Sequence, residues 1–128
     1  MKLIPALLLS TALVTAGCKT TLSAPPANSG AVDLVDYNAN LILEPAHAFA
    51  LDVSNAVLST DPNVHIELTA AQKQILITLN KSINVAAGLE KAYHASPSVA
   101  AQTALTAAAN VVQSNLSSAQ SVITLPAK

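Results

Sequence analysis

The chain has 128 residues, about the length of one domain. Its composition is 52% hydrophobic, 10% charged and 2% aromatic, with one cysteine and a formal net charge of −1. A chain this apolar does not fit a disordered tail, which combines low hydrophobicity with high charge. Six Lys and Arg against seven Asp and Glu argue against a nucleic-acid-binding protein. The single cysteine excludes a disulfide scaffold.

The N-terminus has the pattern of an export signal. Lys2 supplies a positive charge, residues 3–16 carry none, and small residues stand directly before Cys18. A charged start, a short apolar stretch and small residues at its end are typical of a secretory signal peptide. The stretch is shorter than the roughly 20 apolar residues that a transmembrane helix needs.

The end of this signal, Val14-Thr15-Ala16-Gly17-Cys18, resembles the lipobox of bacterial lipoproteins. The resemblance implies cleavage between Gly17 and Cys18, a diacylglyceryl group on the Cys18 sulfur and acylation of the new amino group. Several acyl chains make a stable membrane anchor, because each buried methylene contributes about 0.8 kcal/mol. Since Lys19 and not Asp follows the cysteine, the resemblance also implies the outer membrane, facing the periplasm, in a Gram-negative cell.

The sequence is expected to divide into three parts. Residues 1–17 form the predicted signal peptide. Residues 18–30 form the acylated cysteine and a flexible tether, because they are polar and contain Pro25-Pro26. Residues 31–128 form the predicted helical domain, which is long enough for one modest core.

The first half of this domain predicts two short helices, at about 32–43 and 46–59. Apolar residues recur there near helical spacing: Leu34, Leu41, Ile42, Phe49, Val53 and Val57. We expect a break or a kink at Pro45, because proline removes a backbone donor and disfavours helix in the residue before it.

The second half predicts a pair of long helices. Thr69 and Gln72 fit a capping box that opens a helix at about 70–94. Ser96-Pro97 is typical of a helix start and opens the last helix, at about 97–124. The short connection predicts that these helices form an antiparallel hairpin. The predicted fold is therefore all-α, a small helical bundle built on this hairpin.

The last predicted helix carries no Asp, Glu, Lys or Arg, since none occurs in residues 92–127. One side has a regular apolar stripe that we interpret as a helix-association face: Leu105, Ala108, Val112, Leu116, Ala119 and Ile123. The opposite side is polar but neutral, and three interpretations stay open. It is an ordinary surface, a contact with another copy or an envelope protein, or a membrane-inserted face, although side-chain amides oppose insertion.

The sequence shows no catalytic or metal-binding motif. His47, His65 and His94 lack the paired spacing of zinc ligands and there is no second cysteine, so we predict no metal site and no cofactor. His94 is expected to act as a cation at a helix C-terminus. Asp33 and Asp36 share a helical face, which would suit an acid/base pair, but a solvated helix start explains them better.

These observations predict a non-enzymatic, lipid-anchored envelope protein that acts as a structural or adaptor element through helix–helix association. The predicted partners are the membrane, through the acyl chains on Cys18, and another copy or an envelope protein, with no nucleic acid. A phage-derived envelope lipoprotein for lysis or exclusion and a carrier of a small apolar ligand are the alternatives. The terminal Lys128 is similar to the lysine that joins the major murein lipoprotein to peptidoglycan, which adds cell-wall attachment as a variant.

Overall fold

The computed structural model describes residues 33–127, and this part of the chain contains three α-helices. They are α1 (Leu34–Leu58), α2 (Ala70–Ala95) and α3 (Val99–Val122). The all-α prediction is confirmed. The predicted signal peptide, the Cys18 lipidation site, the tether and Lys128 lie outside the described residues.

The side chain of Asp33 fixes the beginning of α1. Its Oδ1 accepts hydrogen bonds from the backbone N–H groups of Val35 at 2.9 Å and Asp36 at 3.0 Å. These bonds satisfy two of the donors that every helix start leaves without an intrahelical partner. Beyond the end of the helix, the chain turns at Asp61, whose carbonyl accepts hydrogen bonds from the N–H groups of Val64 and His65.

The predicted break at Pro45 is wrong, because α1 is one helix of 25 residues with Pro45 inside it. Proline deprives the carbonyl four residues earlier, that of Leu41, of its usual helical donor. Both Pro45 and Leu41 are exposed, so water can take the place of that donor. On either side of the proline, Leu43 and Ala46 are buried and hold the helix against the core. Tertiary packing therefore overrides the local signal.

The predicted capping box opens α2. The Thr69 Oγ1 accepts from the backbone N–H of Gln72 at 3.1 Å, and the Gln72 Oε1 accepts from the backbone N–H of Thr69 at 2.8 Å. The Gln72 amide nitrogen also donates to the carbonyl oxygen of Val122 at 2.7 Å. One side chain thus caps the start of α2 and holds the last turn of α3 beside it.

The predicted start of the last helix is wrong by two residues. α3 begins at Val99, since Ser98 is its N-cap and the Ser98 Oγ accepts from the backbone N–H of Ala101 at 3.0 Å. Pro97 lies in the connection formed by residues 96–98. This short connection makes α2 and α3 neighbours, and their contact is the most extensive among the three helices.

The core is rich in small side chains. The residues of α1 that pack inward, which we call its buried face, follow spacings of three and four: Asp36, Ala39, Leu43, Ala46, Ala50, Val53 and Ala56. The central cluster joins this face to residues of the other two helices: Leu79, Ile83, Ala86, Val112, Leu116 and Ala119. Of the apolar stripe expected for α1, Val53 is buried and Ile42 and Phe49 pack partly buried against the central cluster, whereas Leu41 is exposed to solvent.

Among the described residues, α1 is the helix long and apolar enough to cross a membrane, with a mean hydropathy of 1.2 in its most apolar window. The same criterion is met by core helices of folded bundles. Seven of the 25 residues of α1 are buried, while Leu41, Leu51 and Leu58 are exposed.

Substitution of Pro45 tests the account of α1. Pro45→Ala restores the backbone donor to Leu41 and should raise the free energy of unfolding by about 2 kcal/mol, the helix-interior penalty of proline less its effect on the unfolded chain. Gly88→Ala is the matched control at another exposed helix position, where an added Cβ meets nothing within 4 Å. It should add about 1 kcal/mol. Thermal and urea unfolding measure both changes, and a destabilising Pro45→Ala would contradict a continuous helix.

Candidate functional site

Three polar side chains meet where the start of α1 packs on the end of α2. Asp36 is fully buried, and its Oδ2 lies 2.7 Å from the Nε2 of His94. Glu90 stands one turn before His94 on α2, with its Oε2 at 3.9 Å from the same Nε2. We call Asp36, Glu90 and His94 the Asp36 cluster. It joins two helices whose contacting residues are 58 positions apart in the sequence.

The cluster corrects one interpretation of the sequence. A solvated helix start describes Asp33 in part, but it is wrong for Asp36, which has 0% exposure. Asp36 is the first residue of the buried face of α1, so the packing of α1 on α2 carries its carboxylate inside. His94 does lie in the last turn of α2, as expected for a cation at a helix C-terminus.

A second hydrogen bond ties the same helix ends together. The hydroxyl of Tyr93 donates to the Oδ2 of Asp33, while the Oδ1 of Asp33 caps α1. Tyr93 is buried in a smaller cluster with Ala39, Leu105 and Ala109. Burial raises the pKa of the Tyr93 phenol, and the hydrogen bond to Asp33 and the charge of Asp33 raise it further. Tyr93 therefore remains a protonated donor at neutral pH.

The environment of Glu90 favours its neutral form. Burial raises the pKa of the Glu90 carboxyl, and a hydrogen bond to Asp36 and the negative charge of Asp36 raise it further. A hydrogen bond from Asn40 and the charge of His94 oppose this shift. The negative charge of Asp36 thus disfavours a second negative charge on Glu90, because two like charges in a poorly hydrated site repel each other.

The Asp36 cluster has the composition of a metal-ligand set. Each of its three residues offers one ligand atom, and these atoms all lie within 4.8 Å of one another. A search of the sequence for paired His and Cys does not find this set, because two of its members are carboxylates and one comes from a different helix. The sequence contains one signal for it: Glu90 and His94 are four residues apart and so share a helix face.

A groove of about 410 Å³ runs between α1 and α2 and ends at the cluster. Its walls are mostly apolar, formed by Leu43, Ala48, Leu51, Ile83 and Ala87, with Glu44, His47 and Glu90 as the titratable residues. The groove is open to solvent, so the carboxyl group of Glu90 can be reached from outside the bundle.

The predicted association face of α3 lies inside the domain. Five of its six residues are buried, namely Leu105, Val112, Leu116, Ala119 and Ile123, and Ala108 is partly buried. This face packs on α1 and α2 of the same chain. The surface that α3 presents outward carries the neutral residues Gln113, Ser117 and Gln120, which are exposed.

No protein-family model, curated protein or solved structure matches this chain. A three-helix arrangement by itself does not indicate a function, because one fold hosts many functions. The features of this chain that bear on its function are the N-terminal sequence, the outer surface and the Asp36 cluster.

Removal of the buried carboxylate should be the most damaging change at this site. Asp36→Ala should lower the free energy of unfolding by about 3 kcal/mol, since truncation of one partner leaves the other without its counter-charge. This loss of stability is at the low end of the range for buried ion pairs, because the His94 side chain is 38% exposed and keeps part of its hydration.

The matched control is Glu67→Ala. Glu67 is 88% exposed, and its Oε2 lies 3.7 Å from the Nε2 of His65 in a surface pair, where little change is expected. Urea unfolding of both variants measures the difference. Equal effects would contradict a structural role for the buried pair.

Proposed function

We propose that this protein is a non-enzymatic lipoprotein of the cell envelope whose helical domain acts as a structural or adaptor element. The observation that carries this proposal is the run Val14–Cys18, which resembles a lipobox and ends in the chain's one cysteine. Acyl chains on Cys18 hold the protein on a membrane. With Lys19 after the cysteine, this is the outer membrane, facing the periplasm, in a Gram-negative cell.

The domain follows the anchor after a polar tether and consists of a hairpin with a docked helix. In this proposal α2 and α3 run antiparallel, which the hydrogen bond from Gln72 to the carbonyl of Val122 supports. α1 docks on this hairpin through its alanine-rich buried face. The contacts of the Asp36 cluster join α1 to α2 and are accounted for by a structural role, without an enzymatic one.

Association uses the outer surface of α3. This surface lacks charge, which exposed faces normally carry for solubility. It also exposes large apolar side chains, with Val99 at 79% and Val111 at 52% exposure. A neutral surface with exposed valines loses little hydration when it is covered, which favours contact with a second copy of the chain.

Replacement of Cys18 tests the anchor. The wild-type chain, expressed in a Gram-negative bacterium, should be extracted from membranes only by detergent. Its intact mass should correspond to cleavage before Cys18 and addition of three acyl chains. Cys18→Ala should yield unacylated protein. A cleaved but unmodified wild-type mass in the soluble fraction would contradict the proposal.

A pair of valine substitutions tests the association surface. Val111→Asp places a charge on the outer surface of α3 and should convert an oligomer of the chain into monomers, because an unpaired charge is costly to desolvate. Val85→Asp is the matched control, since Val85 on α2 has a similar exposure of 59%. Light scattering of the purified chain measures the mass of each. A monomeric wild type, or dissociation by both variants, would contradict self-association through α3.

A further inference from the structure

We propose that Asp36, Glu90 and His94 bind a divalent transition-metal cation, Zn²⁺ in the first place, that links α1 to α2. The site is independent of the proposed lipid anchor, since all three ligands lie within the helical domain. It adds metal binding to a protein for which the sequence predicts no metal site.

The ligand types select the class of cation. One imidazole nitrogen and two carboxylate oxygens form a mixed set that suits zinc and neighbouring divalent transition metals better than calcium or magnesium, which prefer oxygen ligands alone. Three protein ligands with remaining positions for water are a common zinc arrangement. Ligands that project from facing helices are also how helical bundles usually hold metals.

The distances are close to those of a zinc site. Bonds of about 2.0–2.1 Å in a tetrahedral arrangement place ligand atoms about 3.3 Å apart. The His94 Nε2 lies 2.7 Å from the Asp36 Oδ2 and 3.9 Å from the Glu90 Oε2. These two separations lie on either side of the ideal value. All three ligand atoms lie within 4.8 Å of one another, so side-chain torsions need to bring them together by about 1.5 Å at most to coordinate one ion.

The charge of the site favours a cation. Asp36 is fully buried and the Glu90 side chain is only 17% exposed, so two carboxyl groups meet where water screens them weakly. The end of α2 also lies here, and the C-terminus of a helix favours positive charge.

The surroundings provide support and access. Asn40 hydrogen-bonds to Glu90 and would orient that ligand, as outer residues commonly do around metals. The groove between α1 and α2 reaches Glu90, and the His94 side chain is 38% exposed. A cation can therefore enter from solvent and keep bound water on its open side.

Zinc binding to the full chain, purified in detergent and freed of metal with a chelator, tests the proposal. Isothermal titration with ZnCl₂ should give one site per chain. A zinc concentration about 100 times the dissociation constant should raise the Tm by about 10 °C, because the ion binds the folded chain in preference to the unfolded one. EDTA should reverse the rise. Co²⁺ as a second probe should give the visible absorption bands of a coordinated ion.

Glu90→Gln and His94→Ala should each lower the affinity for zinc by about tenfold or more. The glutamine matches the glutamate side chain in shape and can still form hydrogen bonds, so this variant keeps the metal-free fold even if His94→Ala does not. His47→Ala and His65→Ala are the matched controls on exposed histidines and should bind zinc as the wild type does. The proposal is overturned if zinc leaves the Tm unchanged, or if Glu90→Gln binds zinc as tightly as the wild type.

Discussion

The contact between the carboxylate of Asp36 and the imidazole of His94 fixes how α1 lies on the rest of the bundle. A buried charge is tolerated only when it is paired, so α1 can neither slide nor rotate on α2 without leaving this carboxylate in an apolar environment. The alanines of the buried face do not supply such a constraint. Ala39 and Ala46 have the same shape, and a shift of one heptad would exchange one for the other. A single polar residue in the seam removes this degeneracy, as polar core positions do in coiled coils.

Because the side chains of the core are small, the stability of the bundle depends more strongly on hydrogen bonds at the helix ends. An alanine buries less apolar surface than a leucine and contributes correspondingly less to the hydrophobic stabilisation. In return it allows the helix axes to approach closely, so the backbones themselves make the contacts. Side-chain bonds then hold the ends: Asp33 binds the start of α1 and Tyr93, while Gln72 binds the start of α2 and the end of α3. Each of these acceptors or donors serves two helices at once.

Local signals in the sequence predicted the parts of the fold that depend on local interactions. The capping box at Thr69 and Gln72 gave the start of α2, and the apolar stripe from Leu105 to Ile123 gave most of the buried residues of α3. The break at Pro45 was wrong because packing on both sides of an exposed proline outweighs one missing hydrogen bond. The stripe expected for α1 followed its large residues, whereas the structure buries mainly its alanines.

Local patterns in the sequence do not reveal the candidate site either, because they overlook the buried alanines of α1. Asp36 lies three residues before Ala39 and seven before Leu43, so the spacing of three and four places it on the buried face once alanines are counted as core residues. If the alanines are not counted as core residues, Asp36 resembles an ordinary acidic residue in the first turn of a helix. Its partner His94 lies 58 positions away, and only the packing of α1 on α2 brings the two together. No spacing rule within one helix could relate them.

The position of the cluster also relates it to the proposed anchor. In an acylated chain, residues 19–32 would join Cys18 to the start of α1, a span of about 50 Å at most when fully extended. Any force between the membrane and a partner of the domain would act on the bundle first at the start of α1, where Asp33 and Asp36 lie. These two residues hold the first turn of α1 on the last turn of α2 through Tyr93 and His94. A force on the tether would act first on the helix that carries it, and these two contacts between α1 and α2 lie at that end of the helix. A cation bound by Asp36, Glu90 and His94 would strengthen the same junction.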